Sequence, residues 1–154
     1  MEDFDLGSRR PLQLGLATRT ATGTAVDWVM PGDPVRVRGS DLGQAARRAS
    51  AARLDNPGSD VVVDIEFVIA ADSQSARALA SAACESPGDQ TLLYVGTPNG
   101  LAGLIADIYT IGIADGAVLI PLAGEGNTLF RTAVLPVLET MTRMLTPVAG
   151  SHTA

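Results

Sequence analysis

Asp64 and Glu66 stand two positions apart within Val61 to Ala71 (VVVDIEFVIAA). A β-strand repeats its faces every second residue, so this spacing sets both carboxylates on one side. Two carboxylates sharing a face can divide acid and base roles when their surroundings push their proton affinities apart. The plainer reading is an exposed strand face or a sheet edge. Thr97, followed by Pro98, offers a hydroxyl and the free N–H groups of a helix start, which is the chemistry of an anion site. Helix capping alone also accounts for it. Gly124-Glu125-Gly126 has the texture of a phosphate-cradling loop, but it lacks the remainder of either nucleotide fingerprint and reads as a turn. Arg47, Arg48 and Arg53 lie in one Ala-rich stretch and would meet an anion if they converged; a solvated helix face is the simpler account. Asp115-Gly116 reads first as a turn. Tyr109 lies beside an apolar stripe and reads as core or interface packing.

Composition removes several chemistries. All 11 basic residues are Arg, so neither a Schiff base nor a phosphate-binding lysine is available. The single Cys84 can form no intrachain disulfide, and with the single His152 it cannot build a His/Cys metal site. A Ser/His/Asp triad would have to recruit His152, the third residue from the end of the sequence. The net charge of −6 argues against a phosphate-backbone surface, since nucleic-acid binding needs clustered cations. The opening MEDFDLGSRR is acidic and lacks the apolar core of a signal peptide. No apolar run reaches membrane-spanning length, Asp115 interrupting the best one. A soluble, cytoplasmic protein with no metal, no nucleic acid and no membrane partner is expected.

The elements that must position these residues are clearer in the second half. Residues 1–60 hold many turn formers, among them Pro31-Gly32-Asp33-Pro34 and Asn56-Pro57-Gly58. This N-terminal region is expected to be irregular, with short strands at Leu12 to Leu16, Val26 to Val29 and Val35 to Val37. Its one helix is expected at Gln44 to Leu54. Residues 61–146 read β-α-β-α-β-α: a strand at Val61 to Ala71, Asp72 capping a helix over Ser73 to Glu85, and a strand at Leu92 to Val95. Thr97 caps a helix whose Leu101, Leu104, Ile105, Ile108 and Ile111 recur at helical spacing. Gly112 closes that helix as a left-handed residue usually does. A buried strand follows at Ala117 to Ile120. A last helix spans Thr128 to Leu145, broken or kinked before Pro136. Residues 147–154 are expected to be a disordered tail. This element order predicts an α/β fold with a parallel sheet and short connections.

Taken together, Val95-Gly96-Thr97-Pro98, Gly112-Ile113-Ala114-Asp115-Gly116, the strand ending at Pro121, and Phe130 with Val134-Leu135-Pro136-Val137-Leu138 carry a likeness. They resemble the C-terminal part of the bacterial luciferase-like flavin-dependent monooxygenases, in the branch of nitrilotriacetate and alkane monooxygenases. Val68 to Ala78 is similar to that family's strand and following helix start. The match spans roughly residues 62–143. It departs from the family pattern at Asn99, where Glu is usual, at the helix-unfriendly Gly100, and at Ala117, where an aromatic is usual. The resemblance implies a partial (β/α) barrel-like sheet, because a whole barrel takes about 250 residues. Completion by self-association or by a partner chain follows. It also implies an oxidoreductase using reduced FMN, or a deazaflavin, with O2 on a small organic substrate. The alternative is a degenerate, non-catalytic relative that acts as a binding or assembly partner. Only the scaffold positions Gly96, Thr97, Pro98, Asp115, Gly116 and Pro136 carry over. Catalytic and flavin-binding residues are left unassigned, because no residue here matches the family's flavin contacts.

Overall fold

The computed structural model describes residues 11–20, 22–82, 90–123 and 126–145. Strand β1 (Gln13–Thr20) turns back into β2 (Gly23–Trp28), and the two pair antiparallel from Gly15 opposite Trp28 to Thr20 opposite Gly23. The short strand β3 (Val35–Val37) leads into α1 (Leu42–Asp55). Asp41 caps α1 by accepting the Gln44 N–H at 2.8 Å, while the Gln44 side chain reaches back to accept the Ser40 N–H. Ala45, Ala49 and Ala52 form its buried stripe. Small residues there let the helix lie close against the sheet.

Strand β4 (Val61–Ile69) is the spine of the molecule. It is apolar at nearly every position because it has neighbours on both edges and cover on both faces. Strand β6 (Gly116–Pro121) pairs parallel with it from Val62 to Phe67. The opposite edge is shared: β3 pairs along Val61 to Val63, and β5 (Leu92–Gly96) along Ile65 to Ile69, both parallel. Strand β1 pairs parallel with the far edge of β6. The order across the sheet is therefore β2, β1, β6, β4, β3, with β5 continuing the line of β3. The sheet is open and curled, a half-barrel flanked by helices. It is mixed where a purely parallel sheet was expected, since β2 runs antiparallel at one edge.

Helix α2 (Ser73–Ala82) and helix α3 (Pro98–Ile111) lie between β4 and β6 in sequence. Asp72 caps α2 through the Ser75 N–H at 2.7 Å, and Thr97 caps α3 through the Gly100 N–H at 3.2 Å. Gly112 ends α3 at a φ of 89°, in the left-handed region where a side chain would be strained. The last helical segment is interrupted as the proline predicts. It runs as α4 (Gly126–Leu129), a π-helical turn over Phe130–Val134, and α5 (Leu135–Leu145). Pro136 has no N–H for the Thr132 carbonyl, and the wider turn, with the Leu135 N–H reaching the Phe130 carbonyl, sits immediately before it.

The core lies on one face of the sheet. Val63, Ile65, Phe67 and Ile69 of β4 pack with Leu14, Leu16, Ala117 and Leu119, and under Leu101, Ile105, Phe130, Val134 and Leu138 of the helices. Phe67 and Phe130 meet with ring centroids 6.3 Å apart. The opposite face carries a second cluster of Ala17, Val62 and Val118, edged by Val26, Trp28 and Ile120, and no described helix contributes to it.

The expected elements fall close to the observed ones, with boundaries shifted by a few residues: β2 begins at Gly23 where Val26 was expected, α1 at Leu42 where Gln44 was, and β4 ends at Ile69 where Ala71 was. Strand β1 runs four residues past Leu16, because it has ladder partners on both sides, β2 and β6. Helix α2 is described to Ala82, and its expected end at Glu85 lies outside the described residues. The expectations at Cys84, Gly124, Glu125, His152 and the tail lie outside the described residues.

Candidate functional site

The helix-free face of the sheet holds the only charged cluster anchored by a fully buried carboxylate among the described residues. Its residues align in one row across four strands: Trp28 opposite Gly15, Gly15 opposite Val118, and Val118 opposite Asp64. Asp64 is 1% exposed. Arg36 grips it with two parallel bonds, Nε to Oδ1 at 2.9 Å and Nη2 to Oδ2 at 3.1 Å. Arg38 adds a third, Nε to Oδ2 at 3.3 Å. The geometry follows from the strand repeat. In Val35-Arg36-Val37-Arg38 the valines face the helices and the arginines face the other way, toward the side on which β4 presents Asp64.

This corrects the reading of Asp64 and Glu66 as an exposed strand face or edge. Asp64 is buried in the centre of the sheet and ion-paired, while Glu66, on the same face, is half-buried. The two do not form an acid/base pair, because Asp64 is committed to the guanidinium groups. Sequence reasoning passed over Arg36 and Arg38. The signal that would have found them is the strict alternation of Val and Arg in a strand next to an acidic one.

A second feature is a cleft of about 410 Å³ at the C-terminal end of β4. Phe67, Val68 and Ile69, Leu79 of α2, and Gly126 and Leu129 of α4 line it. Gly126 is needed for the shape: a Cβ there would stand 2.7 Å from the Pro121 Cβ and 3.3 Å from the Phe67 ring. The volume is within the range of about 300–1,000 Å³ typical of small-molecule sites. Its place, at the C-terminal ends of parallel strands, is where barrel enzymes bind their ligands. Among the described residues, none that lines it carries a charge.

The remaining sequence candidates serve architecture. The Thr97 hydroxyl oxygen accepts the Gly100 N–H, so Thr97 caps α3 as the sequence predicts. Gly96 and Gly100 make room for Tyr94, whose hydroxyl donates to the Thr97 carbonyl at 3.3 Å; a Cβ at either glycine would overlap that hydroxyl. The unexpected Gly100 is thereby explained. Tyr109 is buried in α3. Asp115 is no mere turn residue: its carboxylate accepts the Val61 N–H at 2.9 Å and faces Arg53 at 3.8 Å. A Cβ on Gly116 would collide with the Gln13 backbone, so this glycine permits β1 and β6 to pair. The three helix arginines do not converge. Arg53 donates to the Gly112 carbonyl, Arg48 to the Arg38 carbonyl, and Arg47 remains exposed. Asp72, at the start of α2, is held below its ordinary carboxylate range by the Ser75 N–H first and the Ser75 hydroxyl second. Among the described residues no three His, Cys, Asp or Glu side chains gather as a metal site, and no helix is long and apolar enough to cross a membrane.

A curled sheet with a ligand-sized cleft at its strand ends defines a partial (β/α) barrel. Among solved structures, the EDTA monooxygenase (EmoA) from Chelativorans sp. BNC1 has this fold, with a TM-score of 0.53 at 18% identity. The likeness covers 75% of this chain and 41% of the monooxygenase, so the chain spans less than half the length of that protein. The sequence matches no protein-family model and no curated protein.

A flavin can be tested against the cleft on chemistry. Its ring system is planar and largely apolar, which suits Phe67, Val68 and Leu129. The phosphate of FMN needs cations or clustered N–H donors. Among the described residues the lining offers no cation, so a phosphorylated flavin would have to hold its phosphate on backbone N–H groups or on residues beyond that lining.

Proposed function

We propose that the chain is a half-barrel relative of the luciferase-like flavin monooxygenases that works as a ligand-binding or assembly partner and does not run the oxygen chemistry alone. The observation that carries this is the cleft beyond β4: placed for a barrel ligand and, among the described residues, apolar in its side chains and without a cation. Such a pocket takes a small apolar molecule through burial of its surface, about 25 cal/mol per Å². Among the described residues β2 has a single neighbour and β3 is a three-residue edge, and unpaired strand edges favour completion by a second chain.

The second reading is the complete activity, an oxidoreductase using reduced flavin and O2 on a small organic substrate. Its support is the shared fold with a monooxygenase.

An anaerobic titration with reduced FMN, followed through the single Trp28, separates the two. Under the first reading no saturable binding occurs in the micromolar range, and toluene binds in ligand-observed NMR unless Leu79 is replaced by Lys at the cleft rim. Saturable micromolar binding, about −8 kcal/mol, would establish a flavin site and the second reading. Sedimentation tests the assembly: a lone 15.9 kDa species at micromolar concentration would sink self-association.

A further inference from the structure

We propose that Arg36, Arg38 and Asp64 form a binding site for a small carboxylate that carries an apolar body. The site is separate from the cleft, and none of its residues lines that cleft.

Charge is the first argument. One guanidinium is enough to neutralise Asp64, and Arg36 does so with a bidentate grip. Arg38 is therefore surplus to the pair. Counted over Arg36, Arg38 and Asp64 alone, the cluster carries one positive charge beyond its carboxylate, on a chain whose net charge is −6. Burying a carboxylate in a sheet gives little stability even when it is paired, so stability alone is a weak reason for the cluster.

Geometry is the second. Arg38 uses only Nε toward Asp64, and its Nη1 and Nη2 have no acceptor among the described residues. Its side chain is 62% exposed and that of Arg36 is 36% exposed, against 2% for Asp64. The buried carboxylate thus fixes one edge of each guanidinium and leaves other N–H groups open to an incoming ligand. A planar fork of N–H donors held in place in this way matches the two oxygens of a carboxylate.

The surroundings supply the apolar part. Leu93 is paired with Glu66, which is paired with Ile120, in the row one strand repeat above Asp64 on the same face. Leu93 is 45% exposed and Ile120 half-buried, and Trp28 edges the face from β2. Glu66 stands in that row, and its negative charge disfavours an anionic head there. The ligand is oriented accordingly, its head on the arginines and its body toward Leu93 and Ile120.

Benzoate, benzamide and inorganic phosphate, titrated by calorimetry with Trp28 fluorescence alongside, test the site. Benzoate should bind saturably and benzamide at least about tenfold more weakly, because it lacks the charge. Arg38→Gln should weaken benzoate by about tenfold while the protein stays folded by circular dichroism, since the Arg36 pair with Asp64 survives. Leu93→Ser should weaken benzoate but leave phosphate unchanged. Leu79→Lys, in the cleft, should leave benzoate binding intact, which separates this result from failure of the cleft reading. Equal binding of benzoate and benzamide, or benzoate binding unaffected by Arg38→Gln, overturns the proposal. Phosphate binding as tightly as benzoate removes the apolar body from it.

Discussion

Asp115 and Val61 exchange two hydrogen bonds: the Asp115 N–H donates to the Val61 carbonyl at 2.7 Å, and the Val61 N–H donates to Oδ2 of Asp115 at 2.9 Å. One acidic side chain thereby ties the start of the central strand to the start of its neighbour β6. Asp115→Ala leaves the N–H of a residue with no exposed surface without an acceptor. The expected cost is about 1–3 kcal/mol, read as a lower midpoint in urea unfolding with an unchanged slope. Asp115→Asn keeps an oxygen acceptor and should lose less; equal losses would point away from the Val61 bond.

The carboxylate of Asp64 is the strongest point in the ion cluster. Asp64→Asn leaves two arginines facing a neutral amide inside the sheet. Loss of a buried ion partner costs about 3–5 kcal/mol, and the lower end applies because both guanidinium groups reach water. Arg38→Gln should cost under about 1 kcal/mol, as for an exposed pair. Thermal unfolding of both variants gives the ranking, and a reversed order would contradict the bonding pattern.

Gly100 and Tyr94 should be coupled. Ala is ordinarily the better helix former by about 1 kcal/mol, yet Gly100→Ala is expected to destabilise, because its Cβ meets the Tyr94 hydroxyl. In a Tyr94→Phe background the same change should cost less. A double-mutant cycle that comes out additive would mean the two side chains are independent.

Asp72 gives a pH-dependent prediction. Its carboxyl titrates below its ordinary range in the folded state, through the Ser75 N–H and hydroxyl. Stability from this cap is therefore present above the ordinary aspartate value, about pH 4. It fades as the pH falls through the lower folded value. Asp72→Ala should be less stable than the wild type at pH 7, with the gap closing as the pH drops below that window. A gap that persists in acid would show that the ionised cap is not its source.

These residues also mark what the sequence could and could not convey. Local rules were sufficient where the cause is local: Thr97 and Pro98 open a helix, Gly112 closes one, Pro136 widens one, and Val35–Val37 is a strand at the expected residues. Asp64 was misread because Asp-Ile-Glu alternates like a half-exposed strand, and nothing nearby in sequence announces its partners. They come from Arg36 and Arg38, more than two dozen residues away, by way of strand pairing. The apolar cleft was equally hidden. Phe67, Leu79 and Leu129 are each ordinary core residues by pattern, and only the fold leaves a gap among them.

The parallel pairing of β1 with β6 bears on how the chain is made. Gln13 meets Gly116, and Leu16 meets Leu119. At about 5–20 residues per second, the ribosome needs on the order of 5–20 s to deliver the second strand after the first. During that interval β1 has β2 as its only strand neighbour, and Leu14 and Leu16 have yet to enter the finished core. An isolated two-stranded hairpin is marginal in water, so the edge of β1 that β6 will cover, with its Leu14 and Leu16, stays without its parallel partner until β6 has been made.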